Sequence, residues 1–124
     1  MGAKWNGLPP GKFLPLTTAE FEILLALVDE QRHGYAIMQD VCDRTAGQVR
    51  LLPGTLYRAI TRMVDSGLIE IADERPDPEL DDERRRYYKL AALGRRVLEA
   101  EVTRLSDQVN AARAKKLLRI PKRA

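Results

Sequence analysis

The stretch from Leu51 to Glu70, LLPGTLYRAITRMVDSGLIE, constrains the fold more than any other part of the chain. Pro53 suits the first turn of a helix, where its missing N–H loses no hydrogen bond, and Gly67 suits the left-handed residue that follows a helix. The sequence therefore predicts a helix from about Pro53 to Ser66.

This predicted helix has one apolar face and one polar face. Its apolar side carries Leu56, Ile60, Met63 and Val64, and its polar side carries Thr55, Arg58, Thr61, Arg62 and Asp65. Arginine can donate two hydrogen bonds to guanine and threonine can bond several bases, so the polar face favours contact with the major groove of DNA. Many solvated helices share this pattern, so the flanking segments must decide whether this helix contacts DNA.

The preceding segment supplies a partner helix. Apolar residues at helical spacing predict a helix from about Gly34 to Thr45, namely Ile37, Met38, Val41 and Cys42. His33, just before it, is predicted to be a turn or capping residue. Between Ala46 and Leu52 we expect a turn and a very short strand at Val49 to Leu51. Two helices joined by a turn, the second with an open polar face, are typical of a helix-turn-helix.

An earlier helix begins at a capping box. Thr17 is followed three residues later by Glu20 and at once by an apolar run, which predicts a helix from Thr18 to about Glu30. Its core face is expected to carry Phe21, Leu24, Leu25 and Val28. A single core would leave Ile23 and Leu27 exposed, which suggests a second apolar layer that a partner subunit could supply.

Residues 1–16 contain three prolines and three glycines, and they predict an irregular N-terminal arm. Its large side chains, Trp5 and Phe13, are expected to dock on the folded body. Trp5 is also a weak candidate for stacking on a small-molecule effector.

After Gly67 the apolar period changes from 3.6 to 2, which predicts a β-hairpin with a long loop at about Pro76 to Asp82. In the returning strand Leu90 and Tyr88 should face the core, with Arg85, Tyr87 and Lys89 outside. A hairpin placed after a helix-turn-helix makes a winged helix, whose wing commonly lies against the sugar-phosphate backbone.

Charge is unevenly distributed along this hairpin. Residues 73–83 hold seven acids against the single Arg75, and DNA phosphates would repel such a tip. Phosphate contact is therefore expected at Arg84, Arg85 and Arg86, with the acidic tip in solvent.

The last segment, from Ala92 to about residue 120, predicts a long helix that ends before Pro121, with a basic tail at 121–124. An apolar seam steps by four and three residues through Leu98, Val102, Leu105, Val109 and Ala112. Because the winged domain of residues 17–91 is already complete, this seam favours dimerisation between two copies of the chain.

Composition limits the possible functions. The chain has 124 residues, a formal net charge of +3, one Cys and one His. A single Cys and a single His argue against a metal site. The sequence also has no Gly-rich phosphate loop, so we predict no enzyme, no cofactor and no catalytic residue. No apolar run is long enough to span a membrane and no signal peptide is recognisable, which predicts a cytoplasmic protein. A winged helix used only for protein interaction is the alternative.

Four segments in this order, LTTAEFEILLAL, HGYAIMQDV, LLPGTLYRAITRMVDSGLIE and RRRYYKLAALGRRVLEAE, resemble the PadR family of bacterial transcription regulators over about residues 16–118. The resemblance implies a mainly α fold with a small β-hairpin, namely a winged helix-turn-helix plus a long C-terminal dimerisation helix. It further implies a dimeric repressor of a palindromic operator in double-stranded DNA, with Tyr35, Thr55 and Tyr57 at the DNA surface. The single C-terminal helix is similar to the smaller PadR subfamily, some of whose members respond to aromatic or drug-like effectors at the dimer interface.

The chain departs from the family pattern at two positions. Arg58 stands where the family often has Pro, which adds a side chain able to read bases. Ala91 stands where the family usually has Thr, so the N-cap of the last helix is expected to be lost, at a cost of roughly 0.5 to 2 kcal/mol.

Overall fold

The computed structural model describes residues 9–72 and 86–118. Its helices pack around one apolar core, and a three-stranded antiparallel sheet in the order β1-β3-β2 lies beside them. In chain order the elements are a 3₁₀ helix at Pro10–Phe13, α1 at Thr18–Ala26, β1 at Arg32–His33, α2 at Gly34–Arg44, α3 at Pro53–Asp65, β2 at Ile69–Ile71, β3 at Tyr87–Leu90 and α4 at Ala92–Ala114. The predicted fold class, a helix-turn-helix with a wing and a long final helix, is confirmed.

The predicted helix ends are confirmed where local chemistry sets them. At the start of α1 the Glu20 N–H donates to Thr17 Oγ1 at 3.1 Å, and the Thr17 N–H donates to Glu20 Oε1 at 2.9 Å. After α3 the backbone turns at Gly67, whose φ is 85°, and the Leu68 N–H donates to the Met63 carbonyl at 2.9 Å. Both ends thereby satisfy backbone groups that a helix leaves unpaired.

The prediction for α1 is wrong in two respects. The helix ends at Ala26, four residues early, and the Ala26 carbonyl accepts a hydrogen bond from Arg32 Nε at 2.8 Å. Ile23 and Leu27 are buried in the core of this chain, and it is Phe21, Leu25 and Val28 that are only half-buried. Because α1 packs against α2, α3 and α4 of the same chain, no second subunit is needed to cover Ile23 and Leu27.

The short strand is also misplaced by the sequence prediction. Residues 49–51 form no strand, because the Val49 N–H donates to Thr45 Oγ1 at 3.0 Å and so closes a turn. The extra strand is β1, which pairs with β3 so that Arg32 faces Tyr88 and His33 faces Tyr87.

The wing strands have the predicted orientation. β2 pairs with β3 so that Ile71 faces Tyr88 and Glu70 faces Lys89. Tyr88 is buried and Lys89 is exposed, as the alternation requires. The predicted loop at Pro76 to Asp82, with the acidic residues 73–83, lies outside the described residues.

α4 ends at Ala114 and not near residue 120. Lys116 adopts a φ of 64°, and the Leu117 N–H donates to the Ala112 carbonyl at 2.9 Å, which closes the helix with a left-handed residue. At its start Ala91 provides no side-chain cap, as expected. Leu98, predicted to lie in the dimer seam, is buried in the core of its own chain.

The described part of the N-terminal arm, residues 9–16, is more ordered than its prolines suggest. The 3₁₀ helix packs against α4, and Phe13 contacts the core. The Leu16 N–H donates to Glu101 Oε2 at 2.9 Å, and Arg104 Nε donates to Glu101 Oε1 at 2.6 Å. A buried carboxylate therefore ties residues 9–16 to the last helix.

We expect the contribution of Glu101 to stability to depend on pH. Hydrogen bonds from Arg104 lower the pKa of Glu101, burial opposes this, and the Leu16 N–H lowers it further. A lowered pKa in the folded state stabilises the protein above the ordinary glutamate pKa of about 4.3, and this stabilisation is lost as the pH falls through the lowered value. Glu101→Gln should lower the free energy of unfolding at pH 7 by roughly 1 to 1.5 kcal/mol, the difference between charged and neutral hydrogen bonds. Urea denaturation of both proteins at pH 7 and pH 3 tests this, and a gap that does not shrink at pH 3 would contradict it.

Gly94 provides a second test of the packing. A Cβ at Gly94 would overlap the Leu68 carbonyl, so α4 can approach the end of α3 only with glycine here. Gly94→Ala should therefore destabilise the protein by roughly 1 to 3 kcal/mol. At a solvent-exposed position inside a helix, the same substitution stabilises the helix by about 1 kcal/mol. Gly11→Ala is the control, because a Cβ at Gly11 meets no atom within 4 Å. Equal urea midpoints for the parent and Gly94→Ala would show that the close approach is not needed.

Candidate nucleic-acid interface

The polar face of α3 is exposed along its whole length. Its buried side holds Leu56, Ala59, Ile60 and Met63. Its exposed side holds Gly54, Thr55, Tyr57, Arg58, Thr61, Arg62 and Asp65. The core fixes one side of this helix, and the other side is open to a partner.

Arg58 lies over the first turn of α3. Its Nη1 atom would be 3.3 Å from a Cβ at Gly54, so the absence of a side chain at Gly54 leaves room for the guanidinium. Within residues 9–72 and 86–118 Arg58 forms no ion pair. Among those residues, no carboxylate neutralises its charge.

Arg62 has a different environment. Its Nη2 atom lies 3.6 Å from Glu20 Oε2, and the two side chains are 57% and 19% exposed. Arg62 therefore leans toward α1 and away from the open centre of the face. Sequence patterning recognised Glu20 only as a capping residue, because a contact between α1 and α3 has no local signal.

Tyr57 connects the two motifs that carry the family resemblance. A Cβ at Gly34 would overlap the Tyr57 hydroxyl and ring, so the tyrosine of PGTLY packs on the glycine of HGY. Tyr57 stays 46% exposed, and Tyr35, next to Gly34, is 62% exposed. Tyr57 therefore lies against the first residue of α2, which is next in sequence to Tyr35.

The tyrosines also join α3 to the wing. Burial raises the pKa of the Tyr88 hydroxyl, nearby Tyr57 raises it further, and Arg86 opposes both. The rings of His33 and Tyr87 pack edge to face, with centroids 5.2 Å apart. His33 Nδ1 accepts the Ala36 N–H at 3.2 Å, which confirms the predicted capping role.

The threonines of α3 are not equivalent. Thr61 Oγ1 donates to the Tyr57 carbonyl at 2.9 Å, so its hydroxyl proton is used within the helix and it can meet a base only as an acceptor. Thr55 is exposed in the first turn, where recognition helices usually meet base edges.

The cations around α3 fall into two groups. Arg44 is bound to Asp40 at 2.7 Å and to Glu22 at 2.8 Å; burial acts to lower its pKa, but these carboxylates raise it overall. Arg50, exposed in the turn before α3, has no carboxylate partner among the described residues. Sequence reasoning missed Arg50, although a basic residue just before a recognition helix could have signalled it.

Of the three predicted wing contacts, Arg86 is exposed, and Arg84 and Arg85 lie outside the described residues.

A groove lies between the arm and the last turns of α3. Its volume is about 460 Å³, within the range typical of small-molecule sites. It is lined by Phe13, Leu16, Glu20, Arg62, Met63, Asp65, Ser66 and Leu68. Trp5, the earlier effector candidate, lies outside the described residues.

Neither a metal site nor a membrane span is found in the described parts of the chain. Within residues 9–72 and 86–118 no three His, Cys, Asp or Glu side chains are grouped so as to hold a metal ion. None of the helices described there is long and apolar enough to cross a membrane.

Two solved structures of PadR-type regulators are similar to this chain. A PadR family transcription regulator from Clostridium difficile R20291 is 25% identical, with a TM-score of 0.66 over 79% of this chain and 97% of that one. A PadR-like transcription factor from Bacteroides fragilis is 28% identical, with a TM-score of 0.56 over 74% and 86% of the two chains.

A sequence relative extends the comparison. An uncharacterized 37.1 kDa protein in transposon TN4556 of Streptomyces fradiae is 35% identical over 94 residues, which are 73% of this chain but only 25% of that protein. The chain therefore spans a quarter of the length of this relative. The model of the transcriptional regulator PadR-like family matches residues 23–100, from α1 into α4, and its members are regulators and not enzymes. Because the match covers more than half of the sequence, the chain belongs to the PadR-like family of transcriptional regulators.

Proposed function

We propose that this DNA-binding regulator is a cytoplasmic, dimeric repressor that binds a palindromic operator in double-stranded DNA and is released by a small-molecule effector. The observation that carries the proposal is the open face of α3, where Arg58 is exposed and forms no ion pair with any residue of 9–72 or 86–118, on a helix fixed by the core. An α-helix fits the major groove, and an unpaired arginine there can bond both acceptors of guanine.

The contacts are divided between base reading and backbone binding. Tyr35, Thr55, Tyr57, Arg58 and Thr61 form the base-facing set, with Arg62 at its edge. Arg50 in the preceding turn and Arg86 beside the wing would meet phosphates, together with Arg84 and Arg85. This division follows the general rule that backbone contacts position a protein and base contacts give specificity.

A second copy of the chain is the proposed partner of α4. Val102, Leu105 and Val109 are 47%, 37% and 41% exposed, and with half-buried Ala112 they continue the apolar seam beyond Leu98. Such a stripe on a helix that extends past its own core is typical of helix pairing. A two-fold dimer presents two recognition helices and therefore calls for two half-sites, which is why we propose a palindromic operator.

The groove beside Phe13, which is lined by residues of one chain, is the proposed effector site. Its lining combines four apolar side chains, those of Phe13, Leu16, Met63 and Leu68, with the charged Glu20, Arg62 and Asp65, which suits an aromatic or drug-like compound. A ligand there would touch Arg62 and Met63 at the end of α3 and so could alter the position of the recognition helix.

A winged helix that binds only protein is the alternative. Fluorescence titration of the protein with duplex DNA from upstream of its own gene, at several salt concentrations, separates the two. A regulator loses affinity steeply with salt because phosphate contacts release counterions, whereas a protein-binding module would show no duplex binding.

Arg58→Ala should weaken binding to the preferred operator by roughly 1 to 3 kcal/mol and binding to random DNA much less, because a base contact is lost. Arg50→Ala removes the same charge from the preceding turn and should weaken both duplexes alike. Fluorescence anisotropy with operator and random duplexes measures both effects. Equal losses for Arg58→Ala on the two duplexes would reduce Arg58 to a phosphate contact.

The double substitution Leu105→Glu, Val109→Glu should produce monomers and abolish tight operator binding, because like charges would meet across the seam. The parent should sediment as a dimer at micromolar concentration. Thr103→Glu with Asn110→Glu is the matched control, since it adds the same charge to exposed positions off the seam. If the seam variant sediments as a dimer in analytical ultracentrifugation, α4 is not the interface.

A further inference from the structure

The carboxylate of Glu20 is held in a fixed position next to the recognition helix. Its Oε1 atom accepts the Thr17 N–H at 2.9 Å, while its own N–H donates to Thr17 Oγ1 at 3.1 Å. The side chain is only 19% exposed, and Oε2 is left to face Arg62 Nη2 at 3.6 Å. The capping box therefore orients a negative charge toward α3.

Arg62 and Arg58 occupy different parts of the same helix. They are four residues apart, so they point in similar directions but are separated by about one turn along α3. Recognition helices read bases mainly with their N-terminal residues, which favours Arg58 over Arg62 for base contact. A released Arg62 would instead add a mobile positive charge, which attracts DNA of any sequence.

We infer that Glu20 is a positioning residue for operator specificity: it holds Arg62 against α1, lowers the affinity for random DNA and leaves discrimination to Arg58. This inference rests on the proposed DNA-binding function. It assigns a second role to a residue whose sequence pattern indicates only helix capping.

The two roles of Glu20 can be separated by one substitution. Gln is as suitable as Glu in a capping box, because its side-chain oxygen can accept the same Thr17 N–H. Glu20→Gln therefore keeps the start of α1 and removes the charge that faces Arg62. Glu20→Ala removes both the cap and the charge. If the melting temperature falls in Glu20→Ala but not in Glu20→Gln, the cap is intact in Glu20→Gln.

The experiment compares the parent, Glu20→Gln, Arg62→Ala and the double variant. Each is titrated at two salt concentrations with a random duplex and with an operator duplex selected from a randomised pool. Asp29→Asn is the charge control, because exposed Asp29 forms no ion pair with any residue that the structure describes.

Glu20→Gln should raise affinity for the random duplex by about two- to five-fold, the range of a single exposed ion pair. The slope of log affinity against log salt should steepen by up to about 0.9, as expected when one more cation meets a phosphate. Operator affinity should rise less, so the ratio of operator to random affinity should fall. In the Arg62→Ala background, Glu20→Gln should have no more effect than Asp29→Asn has in the parent.

Three results would overturn the inference. The first is an unchanged ratio of operator to random affinity in Glu20→Gln. The second is an equal gain in random-duplex affinity from Asp29→Asn, and the third is a gain from Glu20→Gln that persists in the Arg62→Ala background. Failure of the parent to bind either duplex would instead contradict the proposed function, so the two failures are distinguishable.

Discussion

α1 is enclosed by the other helices of its own chain, and the rest of the structure depends on that burial. Ile23 and Leu24 have no exposed surface, and α1 contacts α2, α3 and α4. Since these side chains fill a close-packed core, α3 cannot rotate without opening a cavity. The polar face of α3 is therefore held outward by apolar contacts on the opposite side of the helix.

Two glycines transmit this packing to the interface and to the last helix. Gly34 allows Tyr57 to lie on the start of α2, which links both helices of the helix-turn-helix and places Tyr35 beside them. Gly94 allows α4 to reach the Leu68 carbonyl at the end of α3. α3 is thus bounded at each end by a close approach that a Cβ would prevent, which explains why the sequence motifs around it contain glycine.

Local patterns predicted much of the fold, and contacts between distant segments account for most of the errors. The capping box, Pro53 and Gly67 placed the starts of α1 and α3 and the end of α3, since each acts through its own backbone neighbours. The early end of α1 is accompanied by a hydrogen bond from Arg32 to the Ala26 carbonyl, and the extra strand β1 depends on pairing with β3, more than fifty residues away in sequence. In the site, the exposed face of α3 was predictable from its period, whereas the pairing of Arg62 with Glu20 was not.

The modest net charge of +3 suits a protein that discriminates between sequences. Arg32 and Arg44 are bound to carboxylates of α2 and its neighbours, which removes them from general attraction to phosphates. Among the described residues near α3, Arg50 and Arg58 form no ion pair, whereas the paired cations contribute little to the outward field. In the proposed complex, Arg50 and Arg58 should therefore have the largest effect on where DNA lies. Under the proposed function, selectivity depends as much on the carboxylates that pair with surplus arginines as on the arginines that remain available to the operator.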